Sequence, residues 1–160
     1  MIEEWKNEPD LVKFTYKGYR CEVKRHPTLK HLCGYVYFDI NKPKQKNLID
    51  EMGKKENVWN IDLDVHGGIT WGPQYGETNC IGFDCAHWGD LAPGVLETYR
   101  DMTNMLIEIG EHDKAKEWHD LCSNSSVYKS RDVYRNVAFV KKELRKVVNQ
   151  LIVLEDKDES

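Results

Sequence analysis

Apolar and polar residues alternate in several stretches of the first ninety residues, and a period of two predicts β-strands. The stretches 14–16 and 19–23 flank the turn former Lys17-Gly18 and predict a hairpin. Residues 31–38, rich in aromatic and β-branched side chains, predict a further strand with a bulge at Gly34.

Two central strands are predicted at 58–66 and 79–86, joined by a glycine-rich connection whose tip overhangs one face. In the first of them the apolar parity is held by Trp59, Ile61, Leu63 and Val65, and the polar parity by Asn60, Asp62, Asp64 and His66. Trp59 is therefore expected in the core, and the polar residues are expected together on the opposite face.

After Asp90 the apolar period lengthens to three and four residues, which predicts helices. They are a helix from Leu96 that stops at Gly110, a short helix over 112–122, and a long last helix whose apolar stripe runs from Val133 to Leu151. The charged residues at 141–143, 145 and 146 form its opposite face. Residues 41–57 fit either a short helix or a mobile loop.

Strands first and helices later predict an α+β fold, with a mostly antiparallel sheet of four or five strands and the long C-terminal helix packed on one face. The 160 residues are enough for one domain, 1–160. This domain would include a helical insertion at about 93–125 and a frayed acidic tail at 155–160.

The charged residues narrow the range of partners. Lys and Arg number 23 against 27 Asp and Glu, a net charge of −4, and the basic residues are scattered. Duplex nucleic acid is therefore not an expected partner. The sequence shows neither a signal peptide nor an apolar run of membrane-spanning length, and its five cysteines form no CxxC pair. Reduced thiols in a cytoplasm are the expectation.

The densest chemistry lies between residues 59 and 90. Asp62, Asp64 and His66 share one parity at steps of roughly 7 Å, and aspartate is uncommon enough in strands to suggest a functional face rather than a merely solvated one. Gly67-Gly68 directly after them predict a turn, and a turn that lines the pocket, where a ligand such as a phosphate meets exposed N–H groups, is the open alternative.

A second polar group follows at Asp84, His87 and Asp90. Asp84 and His87 have opposite parity, so they converge only if the strand ends or bends near Ala86, which Trp88-Gly89 favours. His26 and His31 flank a proline loop and are expected at the surface.

Aromatic and basic residues near these groups bear on the type of ligand. Trp71, Tyr75 and Trp88 lie in or beside turns, where an aromatic ring can stack on a nucleobase. Arg131 and Arg135 lie at the start of the last helix and could reach a phosphate, although solvent-exposed capping charge is the favoured interpretation.

Three chemistries remain open. A divalent metal could be held by Asp64, His66, Asp84 and His87, but no HExxH-like spacing supports it and no cofactor is firmly implied. A nucleophilic Cys85 activated by a neighbouring histidine is the second. A metal-free pocket, whose carboxylates accept from ribose or base groups, is the third.

Four segments of the chain form a recognisable set. They read Gly18-Tyr19-Arg20-Cys21, Cys33-Gly34-Tyr35-Val36, Asp64-Val65-His66-Gly67-Gly68-Ile69-Thr70 and Ile81-Gly82-Phe83-Asp84-Cys85-Ala86-His87-Trp88-Gly89-Asp90. With a Tyr-Arg pair before the last helix, at 134–135 or within 128–131, they resemble a family of small phage and prophage proteins. The resemblance spans about 18–150, departs in a longer insertion near 99–130, and implies a phage setting without an established activity.

The leading hypothesis is a phage-encoded protein that binds a small, nucleotide-derived signal and counters host antiviral defence by sequestration. The alternatives are a metal-dependent hydrolase or phosphodiesterase, and an inhibitor that binds a host protein; a homo-oligomer is compatible with each. The predicted ligand-binding residues are Asp62, Asp64, His66, Gly67, Gly68, Trp71, Asp84, His87, Trp88, Asp90, Arg131 and Arg135.

Overall fold

The computed structural model describes residues 4–76, 78–124 and 132–157. Its strands are β1 (Leu11–Tyr16), β2 (Tyr19–Arg25), β3 (Leu32–Tyr37) and β4 (Cys80–Asp84). Its helices are α1 (Pro43–Gly53), α2 (Pro93–Glu108), α3 (His112–Asn124) and α4 (Val137–Lys157). Three-residue 3-10 turns occur at Val58–Asn60 and Pro73–Tyr75, and a four-residue one at Glu4–Asn7.

The strands form one antiparallel sheet in the order β1-β2-β3-β4. The predicted α+β fold and its hairpin at Lys17-Gly18 are confirmed. The predicted bulge at Gly34 is wrong, because Gly34 pairs with Val23 in unbroken register. Its missing side chain makes room for a ring instead, since a Cβ there would lie 2.6 Å from Phe83 Cε1.

Helix α4 covers one face of the sheet and contacts β2 and β3. Its buried apolar residues are Val140, Leu144, Val147, Val148 and Leu151, which recur at helical spacing as predicted. The stripe begins later than expected, because Val133 precedes the helix and is 49% exposed.

The segment 61–66 is not the central strand that its alternation predicts. Ile61, Leu63 and Val65 are buried and Asp62 and Asp64 are exposed, so the prediction of opposite faces holds without any sheet. The segment lies along α4 instead of beside another strand.

Two side chains of α4 take the place of that missing strand. Gln150 donates to the Asp64 carbonyl at 2.8 Å and accepts from the Asp64 N–H at 2.8 Å. Glu143, which the sequence placed on the charged face, is 9% exposed and accepts from the His66 N–H at 2.9 Å. The backbone polar groups of an extended segment need partners, and here a helix supplies them.

The outer edge of β4 is partly covered. Gly82 donates its N–H to the Trp71 carbonyl at 2.9 Å and accepts from the Trp71 N–H at 3.1 Å. Residues 70–71 therefore lie against the strand as a short bridge.

The remaining predictions concern helices. Residues 43–53 form α1, so the short helix is the correct one of the two alternatives for the segment 41–57. The insertion is the pair α2 and α3, which contact each other. Of the predicted tail, residues 155–157 continue α4 and Glu155 accepts from the Tyr19 hydroxyl at 2.6 Å, while residues 158–160 lie outside the described residues. Among the described residues, no helix combines the length and apolar character of a membrane span.

Candidate functional site

Asp90 is the centre of the polar site. Its side chain is fully buried, and it accepts from His66 Nε2 at 2.8 and 3.0 Å, from Arg135 Nε at 2.8 Å and from the His87 N–H at 3.0 Å. We call Asp90, His66, His87 and Arg135 the Asp90 cluster. A buried carboxylate with this many donors joins three separate parts of the chain.

The backbone explains how these residues meet. β4 ends at Asp84, the chain bends, and the Asp90 N–H donates to the His87 carbonyl at 2.8 Å in a tight turn. A bridge then holds the turn to the segment before α4, with the Leu91 N–H on the Val133 carbonyl at 2.8 Å. Arg135, two residues further on, thereby comes within reach of Asp90.

Asp84 and His87 do converge, because the strand ends where the sequence suggested. His87 Nε2 lies 3.2 Å from Asp84 Oδ1, although without the geometry of a hydrogen bond, and it is buried with no partner among the described residues. Asp84 accepts from the Thr70 hydroxyl at 2.9 Å and from the Ala86 N–H at 3.0 Å.

The pKa of the Asp90 carboxyl is lowered. Burial acts to raise it, but hydrogen bonds from Arg135, His66 and the His87 N–H outweigh burial. Asp90 is therefore ionised and can only accept, so His66 Nε2 carries a proton. His66 Nδ1 makes no hydrogen bond to a described residue and is not among the buried unpartnered atoms, so it reaches solvent.

Cys85 does not have the surroundings of a nucleophile. It is completely buried, and burial first of all raises its pKa well above the ordinary range of a thiol. A thiol held neutral in this way is a small packing residue.

Next to the Asp90 cluster lies a cleft of about 510 Å³, which we call the glycine-turn cleft. Its wall includes Gly67 and Gly68, both with positive φ, at 71° and 77°. A Cβ on Gly67 would lie 2.1 Å from His87 Nε2, so this glycine packs directly on the histidine. The cleft is lined by Val58, Trp59, Ile61, Asp62, Leu63, Gly67, Gly68, Ile69, Thr70 and Tyr75.

Two backbone donors in this wall lack internal partners. The N–H groups of Gly67 and Ile69 make no hydrogen bond with any described residue, whereas the Gly68 N–H donates to Val65 at 2.9 Å. Trp59, expected in the core, is 68% exposed here, and Tyr75 is 54% exposed.

A second cleft, of about 340 Å³, adjoins the first, and we call it the histidine cleft. Thr70 lines both clefts, and the stacked rings of Trp71 and Tyr75, 5.1 Å apart, contribute one ring to each. The histidine cleft is lined by His26, His31, Cys33, Tyr35, Thr70, Trp71, Phe83, Asp84 and Ala86.

The expectation that His31 is a surface residue is wrong, because it is only 5% exposed. The alternation of residues along β3 could have indicated its position. Leu32 and Gly34 are buried, and His31, Cys33 and Tyr35 have the opposite parity, so these three lie on the sheet face away from α4. The cleft on that face forms only because residues 70–71 bridge to β4, a contact that local pattern does not reveal.

The predicted site residues thus separate into groups. His66, Asp84, His87, Asp90 and Arg135 come together; Asp62, Gly67 and Gly68 line the glycine-turn cleft, and Trp71 lines the histidine cleft. Asp64 stands apart beside Lys146, with its side chain 86% exposed, and Trp88 is 82% exposed outside both clefts. Arg131 lies outside the described residues.

The proposed metal set does not assemble, and the Asp64 side chain is exposed and lies 3.6 Å from Lys146 Nζ. Within the ranges that the structure describes, no group of three or more His, Cys, Asp or Glu side chains is arranged to hold a metal ion. Comparison of the chain with protein-family models, curated proteins and solved structures finds no match.

Proposed function

We propose that this protein binds a small, nucleotide-derived molecule across the glycine-turn cleft and the histidine cleft. The observation that carries the proposal is that two open clefts meet at Thr70, with free N–H donors in one and exposed aromatic rings in both. Their volumes, about 510 and 340 Å³, fall in the range usual for small-molecule pockets.

Each part of a nucleotide has a counterpart in this lining. Phosphate oxygens accept from backbone N–H groups such as those of Gly67 and Ile69. Asp62, exposed in the same wall, accepts from ribose hydroxyls. An aromatic wall contributes about 1–3 kcal/mol per stacked base.

A role in countering host defence extends this proposal and rests on the sequence resemblance to phage proteins. Binding without turnover would withdraw a nucleotide signal from its receptor.

One observation favours a second candidate, an acid–base hydrolase. His66 Nε2 is fixed on an ionised carboxylate while Nδ1 reaches solvent, which is the orientation of a general base. His87 lies next to it, with the two rings 5.9 Å apart.

Release of ligand from the purified protein separates the two candidates. The protein would be incubated with a panel of mono-, di- and cyclic nucleotides, denatured by heat, and the supernatant analysed by mass spectrometry. We expect intact nucleotide at a stoichiometric amount. Products that accumulate beyond one equivalent, and disappear in His66→Gln, would establish the hydrolase instead.

Substitutions locate the binding. Tyr75→Ala and Asp62→Asn, both exposed in the glycine-turn cleft, should weaken nucleotide binding by about tenfold, because about 1.4 kcal/mol corresponds to that factor. Trp88→Ala is the matched control, as an exposed aromatic outside both clefts. Equal binding by all three variants and the wild type would contradict this location.

A further inference from the structure

His31 is a buried side chain that lines the histidine cleft and has one unpartnered nitrogen. It is 5% exposed, and its Nδ1 is buried with no hydrogen-bond partner among the described residues. Buried polar atoms are nearly always paired, so an unpaired one that lines an open cleft marks a contact made by something outside the chain.

The ring of His31 is held in a fixed orientation. It stacks on His26 with the centroids 5.0 Å apart and the planes 17° apart. His26 is fixed in turn, because its Nδ1 accepts from the N–H groups of Thr28 and Leu29 at 3.2 and 3.0 Å. A preorganised donor or acceptor binds with less entropic cost than a mobile one.

The lining of the histidine cleft carries a single charged side chain, the carboxylate of Asp84. Burial raises the pKa of the Cys33 thiol to about 11 and that of the Tyr35 phenol to about 12, so both are neutral at pH 7. Burial also lowers the pKa of His31, and His26 makes a smaller contribution in the same direction. The His31 ring is therefore neutral at pH 7. Among the described residues, neither cleft is lined by Lys or Arg, and the unpaired backbone N–H groups that can receive a phosphate are those of Gly67 and Ile69 in the glycine-turn cleft.

The polar groups that remain suit a neutral heterocycle with donor hydrogens. Asp84 already accepts from Thr70 and Ala86, but a carboxylate has about four lone-pair positions, and its side chain is 28% exposed. Neutral imidazole offers one donor and one acceptor. Trp71, 40% exposed, supplies a flat wall.

We propose that the histidine cleft is the base subsite of the nucleotide and takes a base with an exocyclic amine. The amine donates to Asp84, the ring edge of the base pairs with His31 Nδ1, and the base stacks on Trp71. The phosphate then lies on the far side of Thr70, at the N–H groups of Gly67 and Ile69. This assignment rests on the proposed nucleotide binding and adds the orientation and the base class.

Titration calorimetry with matched nucleotides tests the assignment. Adenosine and inosine monophosphates, and cytidine and uridine monophosphates, differ by replacement of the amine with a carbonyl. We expect at least one amino member to bind about tenfold more tightly than its carbonyl partner, since the carbonyl oxygen would face the Asp84 carboxylate. Inorganic phosphate is the probe for the proposed phosphate position at the N–H groups of Gly67 and Ile69.

Two variants give different expected results. His31→Phe, which removes no hydrogen bond of Nδ1 within the described chain, should keep the fold and weaken binding of the amino nucleotide by about tenfold. Asp84→Asn should abolish the preference between amine and carbonyl, because an amide both donates and accepts. His112→Ala, an exposed histidine of α3, is the control. Circular dichroism and thermal unfolding establish that each variant is folded.

Nitrogen NMR of the histidines provides a readout that a purely structural His31 would not move. Addition of the preferred nucleotide should shift the Nδ1 resonance of His31. If nucleotides bind but show no preference for an amine, or if His31→Phe binds them as the wild type does, the base lies elsewhere and nucleotide binding itself stands. If no nucleotide binds, both proposals fall.

Discussion

His66 and His31 are both largely enclosed, but their nitrogens are in opposite situations. His66 donates to Asp90, which is shared with Arg135 and a backbone N–H, so the group is satisfied within the chain. His31 Nδ1 is buried and unpartnered beside an open cleft. The Asp90 carboxylate is satisfied and holds segments together, whereas the unsatisfied His31 Nδ1 is the nitrogen that we propose contacts a ligand.

The largest expected effect is at the satisfied group. Asp90→Ala leaves Arg135 and His66 without their carboxylate, and removal of one partner of a buried ion pair costs about 3–5 kcal/mol of unfolding free energy. Urea unfolding followed by circular dichroism measures this. Asp62→Ala, an exposed aspartate, should stay within about 0.5 kcal/mol. A loss below 1 kcal/mol at Asp90 would mean that the Asp90 cluster does not hold the fold.

The second largest loss of stability is expected from substitution of the neighbouring glycines Gly67 and Gly68. Gly67→Ala adds a Cβ 2.1 Å from His87 Nε2 at a positive φ, and we expect a cost of about 2–4 kcal/mol from left-handed strain and displacement. Gly68→Ala has the same strain but open space around it, so about 1–2 kcal/mol is expected. Thermal unfolding of the two variants compares them. Equal losses would show that contact between Gly67 and His87 is unimportant.

Loss of the attachment between the segment 61–66 and α4 should lower the unfolding free energy by less than the two preceding changes. Gln150→Ala removes two hydrogen bonds to the Asp64 backbone, for an expected loss of about 1–2 kcal/mol. Lys142→Ala, exposed on the same helix, serves as the reference. Hydrogen exchange should quicken at the Asp64 amide in the first variant alone. Unchanged exchange there would argue against a helix side chain standing in for a strand.

The smallest expected effect is on the pH dependence of stability, which differs between the surroundings of His31 and those of His66 and Asp90. The pKa of His31 is lowered on folding from 6.5, so the unfolded chain binds the extra proton and stability falls as pH drops below about 6.5, by at most about 1.4 kcal/mol per pH unit. The pKa of Asp90 is lowered from 3.8, so its contribution is complete above 3.8 and is lost only as the pH falls further. His31→Phe should flatten the slope between pH 4.5 and 6.5 (roughly the titration range of an imidazole). A slope identical to the wild type would show that His31 is not the group responsible.

The sequence predicted most of the sheet and the covering helix because both follow local periods. The hairpin at Lys17-Gly18 satisfies a period of two, and the stripe from Val140 to Leu151 satisfies a helical period, each within a few residues. The segment 61–66 shows the limit of that inference. Its alternation reflects one buried face, and a helix can bury that face as well as a sheet can.

The site was predictable where it depended on the end of one strand and not where it depended on distant contacts. Asp84 and His87 meet because β4 ends between them. The histidine cleft depends on residues 70–71 lying against the sheet, and the role of Glu143 depends on which turn of α4 faces residue 66. Neither relation is encoded in a local pattern.

The bridge between Trp71 and Gly82 has a consequence for the behaviour of the protein in solution. β4 is an edge strand, and its outward N–H and C=O groups would otherwise be a template for another chain. The same two residues, Thr70 and Trp71, cover part of that edge and line the histidine cleft, where we propose that a nucleotide binds. A nucleotide that holds them in place should therefore slow aggregation on storage, and light scattering would record the difference between the bound and the empty protein.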